Sequence, residues 1–392
     1  MTVTTPLYSM VNHLGQLAVQ EGSSPSPQTH LELLRMIDQL RLAIESPTET
    51  ILRLIYQNAA LRTVIDMHIF PLLMEKQYRE SGISADQLAK FTHAEKDLVV
   101  RLMRVIASLG LCSTPAPEVY RANDKTVALI QPIGRDGVPC IYDLTVPTLS
   151  KLPEYLQTHR YANPQEYTLS PMKWVVGQSQ FEWLASHKDQ QTLFNSYMAS
   201  RRQGRPMWFD TYPWGSCWVM GAFLVDVGGN QGHDLSQFRL KYPHLPGKLV
   251  LQDLPDVVEG VSSRDSGIEV MGYSFLDPQP VHGARAYYFR SIFHDWPDRI
   301  CQQILLNTIS AMAPDYSRIL IVDFVLSDTD TPLMQAALDI QMMSIGAGVE
   351  RSERQWRDLL DSVGLEISGI WNQSSGMESV IEAVPKKSRV AS

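Results

Sequence analysis

The sequence predicts a chain of two architectures: a helical, winged-helix-type domain in its N-terminal part and a doubly wound α/β domain in its C-terminal part. Three observations predict it. From Ala222 onward, apolar runs of strand length alternate with helix-like stretches. A glycine-rich turn, Asp226-Val227-Gly228-Gly229-Asn230-Gln231-Gly232, joins the first of these runs to a helix-like segment. Ahead of them, apolar residues recur at helical spacing from about Thr29 to Cys112 and lead into a hairpin-like segment.

The N-terminal elements follow in order. Residues 21–28, EGSSPSPQ, are a Ser/Pro-rich break, so residues 1–28 read as an arm whose first twenty residues are helical. A helical tract runs from about Thr29 to Ile44, and Ser46-Pro47-Thr48 marks the next helix start. Helical spacing continues through LRLIYQNAALRTVIDMHIF, ISADQLAKF and EKDLVVRLMRVIASLGL, with Ser84 capping the second of these helices and Thr92 the third. Residues 118–129 read as a short hairpin. Three helices and a hairpin give residues 29–140 a winged-helix outline, which often means DNA binding. The candidate recognition helix, Ala94 to Leu109, offers only Lys96, Arg101 and Arg104 among many apolar residues, so a scaffold for dimerisation and for walling a pocket fits better. Residues 141–220 read as a helical linker and pocket wall with Tyr142, Tyr155, Trp174, Phe181 and Trp183.

In residues 221–392 the strands are AFLVDVG, KLVLQDL, IEVMGYSF, RAYYFRSIF, RILIVDFVLS, LEISGIWNQ and ESVIEAV. Helical stretches, among them Pro297–Met312, Pro332–Gly346 and Glu353–Val363, separate most of them, which predicts a mainly parallel sheet. Only the short turn Ser374-Ser375-Gly376 lies between the last two strands, so these should close the sheet as an antiparallel hairpin. Such a sheet binds ligands beyond the carboxyl ends of its strands.

Composition narrows the function. The 392 residues are 44% apolar and 19% charged, in the range of a globular enzyme with room for more than one core. A net charge of -8 argues against a nucleic-acid surface, and no apolar run is long enough to span a membrane. The start, MTVTTPLYSMVNHL, lacks a signal-peptide pattern. Cys112, Cys140, Cys217 and Cys301 form no CxxC pair and read as free thiols of a cytoplasmic protein.

The groups that carry chemistry cluster at predicted strand ends. Gly228, Gly229 and Gly232 let the backbone turn sharply and approach a ligand, and the helix from about His233 points its amide end at it. The pattern is not G-x-G-x-x-G and holds no basic residue, which suits a ligand without phosphate. Asp253 ends the second strand, where a carboxylate can accept from a ribose diol or cap the helix before Pro255. Arg290 and His294 lie on or just after the fourth strand, with His294-Asp295-Trp296-Pro297 facing the expected cleft. Asp323 ends the fifth strand, and Glu350 precedes a helix that begins SERQW; either carboxylate can orient the His294 ring. No metal-ligand cluster stands out.

From about Ile51 to Val384 the chain resembles the class I S-adenosylmethionine-dependent O-methyltransferases of the caffeate and fungal polyketide type, through LVDVGGNQGHD, LVLQDLPDVVEG, YYFRSIFHDWPD, RILIVDFVLSD and GVERSERQWRDLL. The resemblance implies an all-helical winged-helix-type dimerisation domain, a Rossmann-like catalytic domain, a homodimer and a small hydrophobic or aromatic substrate. It assigns cofactor contacts to Asp226, Gly228, Gly229, Asp253 and Arg290. It makes His294 the general base, with Asp323 and Glu350 as its orienting carboxylates. A phenol titrates near pH ~10 and an imidazolium near ~6.5, so a neutral His294 within hydrogen-bond reach is a workable base.

The chain departs from that family at two places. Met271-Gly272-Tyr273-Ser274-Phe275 has Tyr or Ser where an acidic residue usually contacts the adenosine, so Tyr273 stacking or Ser274 hydrogen bonding would have to replace it. Asn230-Gln231 replaces a more usual Gly-Thr-like pair. These departures keep a second activity open, that of the methyltransferase-like pericyclases, which cyclise or dehydrate polyketide–pyridone substrates while retaining the cofactor. In that reading Arg201, Arg202 and Arg290 lie near the pocket and His294 donates a hydrogen bond.

Overall fold

The computed structural model describes residues 6–45, 58–200, 207–213, 222–245, 247–259, 261, 267–329, 331–372 and 377–386. Ser46-Pro47-Thr48, Arg201, Arg202, Cys217 and the Ser374–Gly376 turn lie outside the described residues. The chain gathers into two compact units: Met1–Ser24, Glu32–Pro147 and Phe181–Gly204 form one, and Pro25–Leu31, Thr148–Gln180 and Arg205–Ser392 the other. One of the chain's crossings between the units falls inside the helix Gly137–Thr158.

The first unit is helical, with a small sheet. Helix Pro6–Ser23 and helix Pro27–Ile44, whose first residues to Leu31 fall in the other unit, run into the expected break of residues 21–28 from both sides and narrow it to residues 24–26. Val64, Phe70, Leu73, Leu88, Val99, Met103 and Ile106 form the core under helices Asn58–Asp66, Ile69–Leu73, Ala85–Thr92 and Lys96–Ser108. Ser84 caps as its sequence suggests: its Oγ accepts from Gln87 N at 3.2 Å, and Gln87 Oε1 accepts from Ser84 N at 2.9 Å. Thr92 does not cap the next helix; its hydroxyl donates back to Leu88 O, and Glu95 takes the cap position without a side-chain bond. The hairpin is displaced toward the N-terminus. Strands β1 (Ile83–Ser84), β2 (Ser113–Ala116) and β3 (Val119–Arg121) pair in the order β1-β3-β2. Residues Asp124–Ile130 are a helix, because Asn123 accepts from Thr126 N at 3.1 Å and so starts a helix where a turn was expected. Lys96, the first basic residue of the expected recognition helix, is held at 2.9 Å by both Asp86 and Glu118.

The second unit is the α/β domain. Its strands are β4 (Ala222–Val227), β5 (Lys248–Asp253), β6 (Ile268–Gly272), β7 (Ala286–Arg290), β8 (Arg318–Asp323), β9 (Leu365–Asn372) and β10 (Ser379–Pro385). They form a seven-stranded sheet in the order β6-β5-β4-β7-β8-β10-β9. The first five are parallel, and β10 runs antiparallel to both β8 and β9, as the short link between the last two strands predicts. Side chains alternate between two cores. Val225, Val227, Tyr287, Phe289, Ile319 and Ile321 pack with Phe293 and Trp356. Leu224, Tyr288, Leu320 and Val322 pack with Phe238 and Trp208 on the other face. Among the described residues no helix is long and apolar enough to cross a membrane.

The strand order decides what meets at the carboxyl edge. The chain leaves β4 toward β5 on one side and later places β7 on the other, so the switch point lies between β4 and β7. The ends of β6, β5, β4, β7 and β8 therefore present Tyr273, Asp253, the glycine turn, His294 and Asp323 in that order.

Candidate active site

The turn after β4 is built on close approach. The amides of Gly228 and Gly229 both donate to Gln252 O, at 2.8 and 3.1 Å. Gly228 has φ 75°, and a Cβ on it would lie 2.5 Å from Ile292 Cδ1. Gly229 has ordinary backbone angles, but a Cβ there would lie 2.5 Å from the Asp226 carboxylate and 2.6 Å from Leu251 Cδ1. Asn230 also adopts a left-handed conformation, φ 54°, which asparagine tolerates better than most residues. That is a backbone reason for this departure from the family pattern. Gly232 precedes the helix His233–Lys241.

Asp253 ties this turn to β5. Its Oδ2 accepts from Asn230 N at 2.8 Å and its Oδ1 from Leu254 N at 2.7 Å. Burial pushes its carboxyl upward against those two amide bonds. The expected helix-cap role is absent, since Leu254 occupies the cap position. Tyr273 N donates to Asp253 O at 2.8 Å, so the β6 end sits beside it. The Tyr273 hydroxyl donates to Asp277 O, and Ser274 Oγ accepts from Leu276 N, so both side chains brace their own loop. Behind them Gln252 and Gln279, both buried, exchange amide hydrogen bonds of 2.9 and 3.0 Å. Gln279 lies in an irregular segment, and nothing in its local sequence announces this clasp.

Arg290, assigned by resemblance to the cofactor, is committed elsewhere in the structure. It is buried, with Nη1 3.1 Å from Asp234 Oδ2 and Nη2 2.7 Å from Glu378 Oε2. The Tyr288 hydroxyl donates to the same Asp234 at 2.6 Å. Burial opposes the guanidinium charge, but Glu378 and Asp234 outweigh it. Asp234 stands in the first turn of the helix after the glycine turn, so Arg290 reaches that turn through its helix.

His294 lies in the 3-10 turn Phe293–Asp295 and is 6% exposed. Its Nδ1 donates to Glu350 Oε1 at 2.6 Å, with Asp323 Oδ1 3.9 Å from the same nitrogen. Asp295, the next residue of the motif that the sequence places at the cleft, has its Oδ1 3.7 Å from Nε2. Gly348 makes the Glu350 contact possible: a Cβ on it would lie 2.1 Å from His294 O, while Val349 N donates to that carbonyl at 2.9 Å. Burial alone would push the ring down, but Asp323, Asp295 and Glu350 reverse this and raise it to about 10. Burial raises Asp323 to about 8, with His294 opposing and the neighbouring carboxylates adding to the rise. Trp296 packs beside this turn against Tyr167, ring centres 4.6 Å apart, and Phe275, 5.9 Å apart.

The chain matches the model of the O-methyltransferase domain over residues 160–366 and that of the O-methyltransferase dimerisation domain over residues 50–131. It is 32% identical to demethylsterigmatocystin 6-O-methyltransferase of Aspergillus parasiticus over 363 residues, covering 90% of this chain and 92% of that one. Among solved structures, a pericyclic reaction enzyme superposes with a TM-score of 0.86 at 28% identity, covering 97% of this chain and 100% of that one. OxaC in complex with SAH and oxaline superposes with a TM-score of 0.83 at 28% identity, covering 97% and 99%. The glycine turn on β4, the buried histidine after β7 and these matches agree, and the chain belongs to the O-methyltransferase family.

Proposed function

We propose that this chain transfers a methyl group from S-adenosylmethionine to a hydroxyl of a small aromatic or polyketide-derived molecule, with His294 as general base. The observation that carries the reading is the 2.6 Å bond from His294 Nδ1 to Glu350. With that nitrogen engaged, Nε2 is the ring atom left to take a substrate proton. When bound, the cofactor supplies an electrophilic methyl group on a sulfonium. Three features support its binding at the β4 edge. Gly228, Gly229 and Gly232 leave the turn without side chains of its own at those positions, and no basic residue in it demands a phosphate. Asp253 keeps acceptor capacity for a diol beyond its two amide bonds. A structural neighbour was solved with SAH. Asp226, Gly228, Gly229, Gly232, Asp253, Tyr273 and Ser274 would line that edge, with Arg290 fixing the helix behind it.

The raised histidine changes the balance of the proton step. At its ordinary value of about 6.5 the ring would take a proton from a phenol of about 10 uphill by some 5 kcal/mol. At about 10 the two groups are matched. The cost is a smaller neutral fraction near neutral pH, because the facing carboxylates favour the protonated ring. His294 is thereby a strong base that is seldom free.

A protonated His294 also suits the second reading, a pericyclase on the same fold, in which the ring donates a hydrogen bond and no methyl group moves. The likeness to a pericyclic reaction enzyme and the acid-free β6 end support that alternative. One experiment separates them: purified protein, methyl-labelled cofactor, and a panel of phenols and pyridones, read by mass spectrometry. Methylated product with demethylated cofactor supports transfer, whereas an isomerised product with intact cofactor rejects it. The dimerisation-domain match supports a homodimer, which analytical ultracentrifugation would check.

A further inference from the structure

Directly after Glu350 stands Arg351, whose side chain is 1% exposed although it carries a permanent charge. A buried guanidinium persists only where its donors are matched. Its Nη1 donates to Phe293 O at 2.8 Å and its Nη2 to Trp296 O at 3.0 Å, the two carbonyls that bracket His294 and Asp295. Nε and Nη2 bond Asp298 Oδ1 at 3.1 and 2.7 Å, at the start of the helix Asp298–Ile309. The guanidinium lies 5.3 Å from the Trp356 ring centre. The Cys301 thiol, which burial pushes up to about 12, stands neutral against the same carbonyls at 3.4 and 3.3 Å.

We infer that Arg351 is a positioning residue for the histidine base. Adjacent residues grip the two halves of one turn: Glu350 holds the ring and Arg351 the backbone that carries it. The planar five-donor fork suits this task, since it spans two carbonyls and a carboxylate at once, which an ammonium cannot. Without the fork the turn Phe293–Asp295 loses two of its anchoring bonds, and the short Nδ1–Glu350 contact loses its register. The inference rests on His294 being the base, but its primary test does not require turnover. The groups facing His294 are Asp295 on its own turn, Asp323 from β8 and Glu350 from the loop after helix Leu333–Gly346, so a displaced ring loses opposing charge and its titration moves.

The test uses full-length protein with isotope-labelled histidine, with titration of His294 followed by NMR after assignment through His294→Gln. Arg351→Lys, which keeps the charge and the Asp298 partner, is expected to fold as wild type by circular dichroism. Its His294 midpoint should fall by about one pH unit. Arg351→Met should move the midpoint further, and Asp298→Asn, at a carboxylate that is itself 64% exposed, should leave it nearly in place. Where a transferase substrate is in hand, Arg351→Lys should lower kcat about tenfold with KM little changed. A folded Arg351→Lys variant with an unchanged midpoint overturns the inference and makes the arginine a tie between two helices. A shifted midpoint in a protein that never transfers methyl groups would uphold the positioning role and reject the activity.

Discussion

Two buried charge clusters, centred four residues apart in sequence at the end of β7 and just beyond it, are built to opposite ends. At Arg290 one guanidinium that never titrates in water faces Asp234 and Glu378. At His294 one titratable ring faces Asp323, Glu350 and Asp295. The first fixes its charges and holds the helix behind the glycine turn. The second gathers more negative charge than its single ring can neutralise, which raises the ring toward the range of a phenol. Burial is similar at both, so the difference lies in whether the central cation can lose its proton.

That contrast can be broken from either side. His294→Ala should lower methyl transfer by about 10²–10⁴-fold while cofactor affinity, measured by calorimetry, stays nearly constant. Full methylation by this variant would remove the base assignment. Arg290→Met leaves two buried carboxylates without their cation and should cost about 3–5 kcal/mol in denaturant unfolding. A loss of affinity alone, with stability intact, would instead make Arg290 a direct cofactor contact. Gly228→Ala forces a side chain into φ 75° against Ile292 and should cost about 1–3 kcal/mol together with most cofactor binding.

The titrating cluster should also write itself into pH dependence. Asp323→Asn removes a facing charge, so the acidic limb of kcat should move down by about one pH unit. The same titrations act on folding. Because His294 is raised to about 10, its stabilisation is complete below about pH 6.5 and is lost as pH rises through about 10. Asp323, raised to about 8, loses stability with rising pH over a lower window, from about 4 to 8. The Tm of the wild type should therefore decline from pH 7 to 10, and the decline should shrink in His294→Gln. An equal slope in both would place the titration elsewhere.

Much of the α/β architecture was legible because its signals are local. A strand buried on both faces must be apolar along its length, so AFLVDVG, RAYYFRSIF and RILIVDFVLS declare themselves. A turn that admits no Cβ must be glycine. His294, Asp323 and Glu350 were readable because each follows a strand or precedes a helix whose position was already clear. Misreadings arose where short polar stretches allow two local answers. Asn123 can open a turn or cap a helix, and Thr92 can cap forward or bond backward; only the neighbours packed against them choose.

The sequence by itself determined the alternation of elements, the glycine turn and the identity of the titratable groups, since these follow from backbone sterics and the burial of apolar runs. Tertiary structure alone decided which charges meet. Arg290 could have faced a ligand but meets Asp234 and Glu378, from segments 56 and 88 residues away along the chain. Arg351 could have been a surface charge but lies under the histidine turn. Coulombic and hydrogen-bond energies depend on distances that chain folding sets, and spacing along a sequence does not encode them.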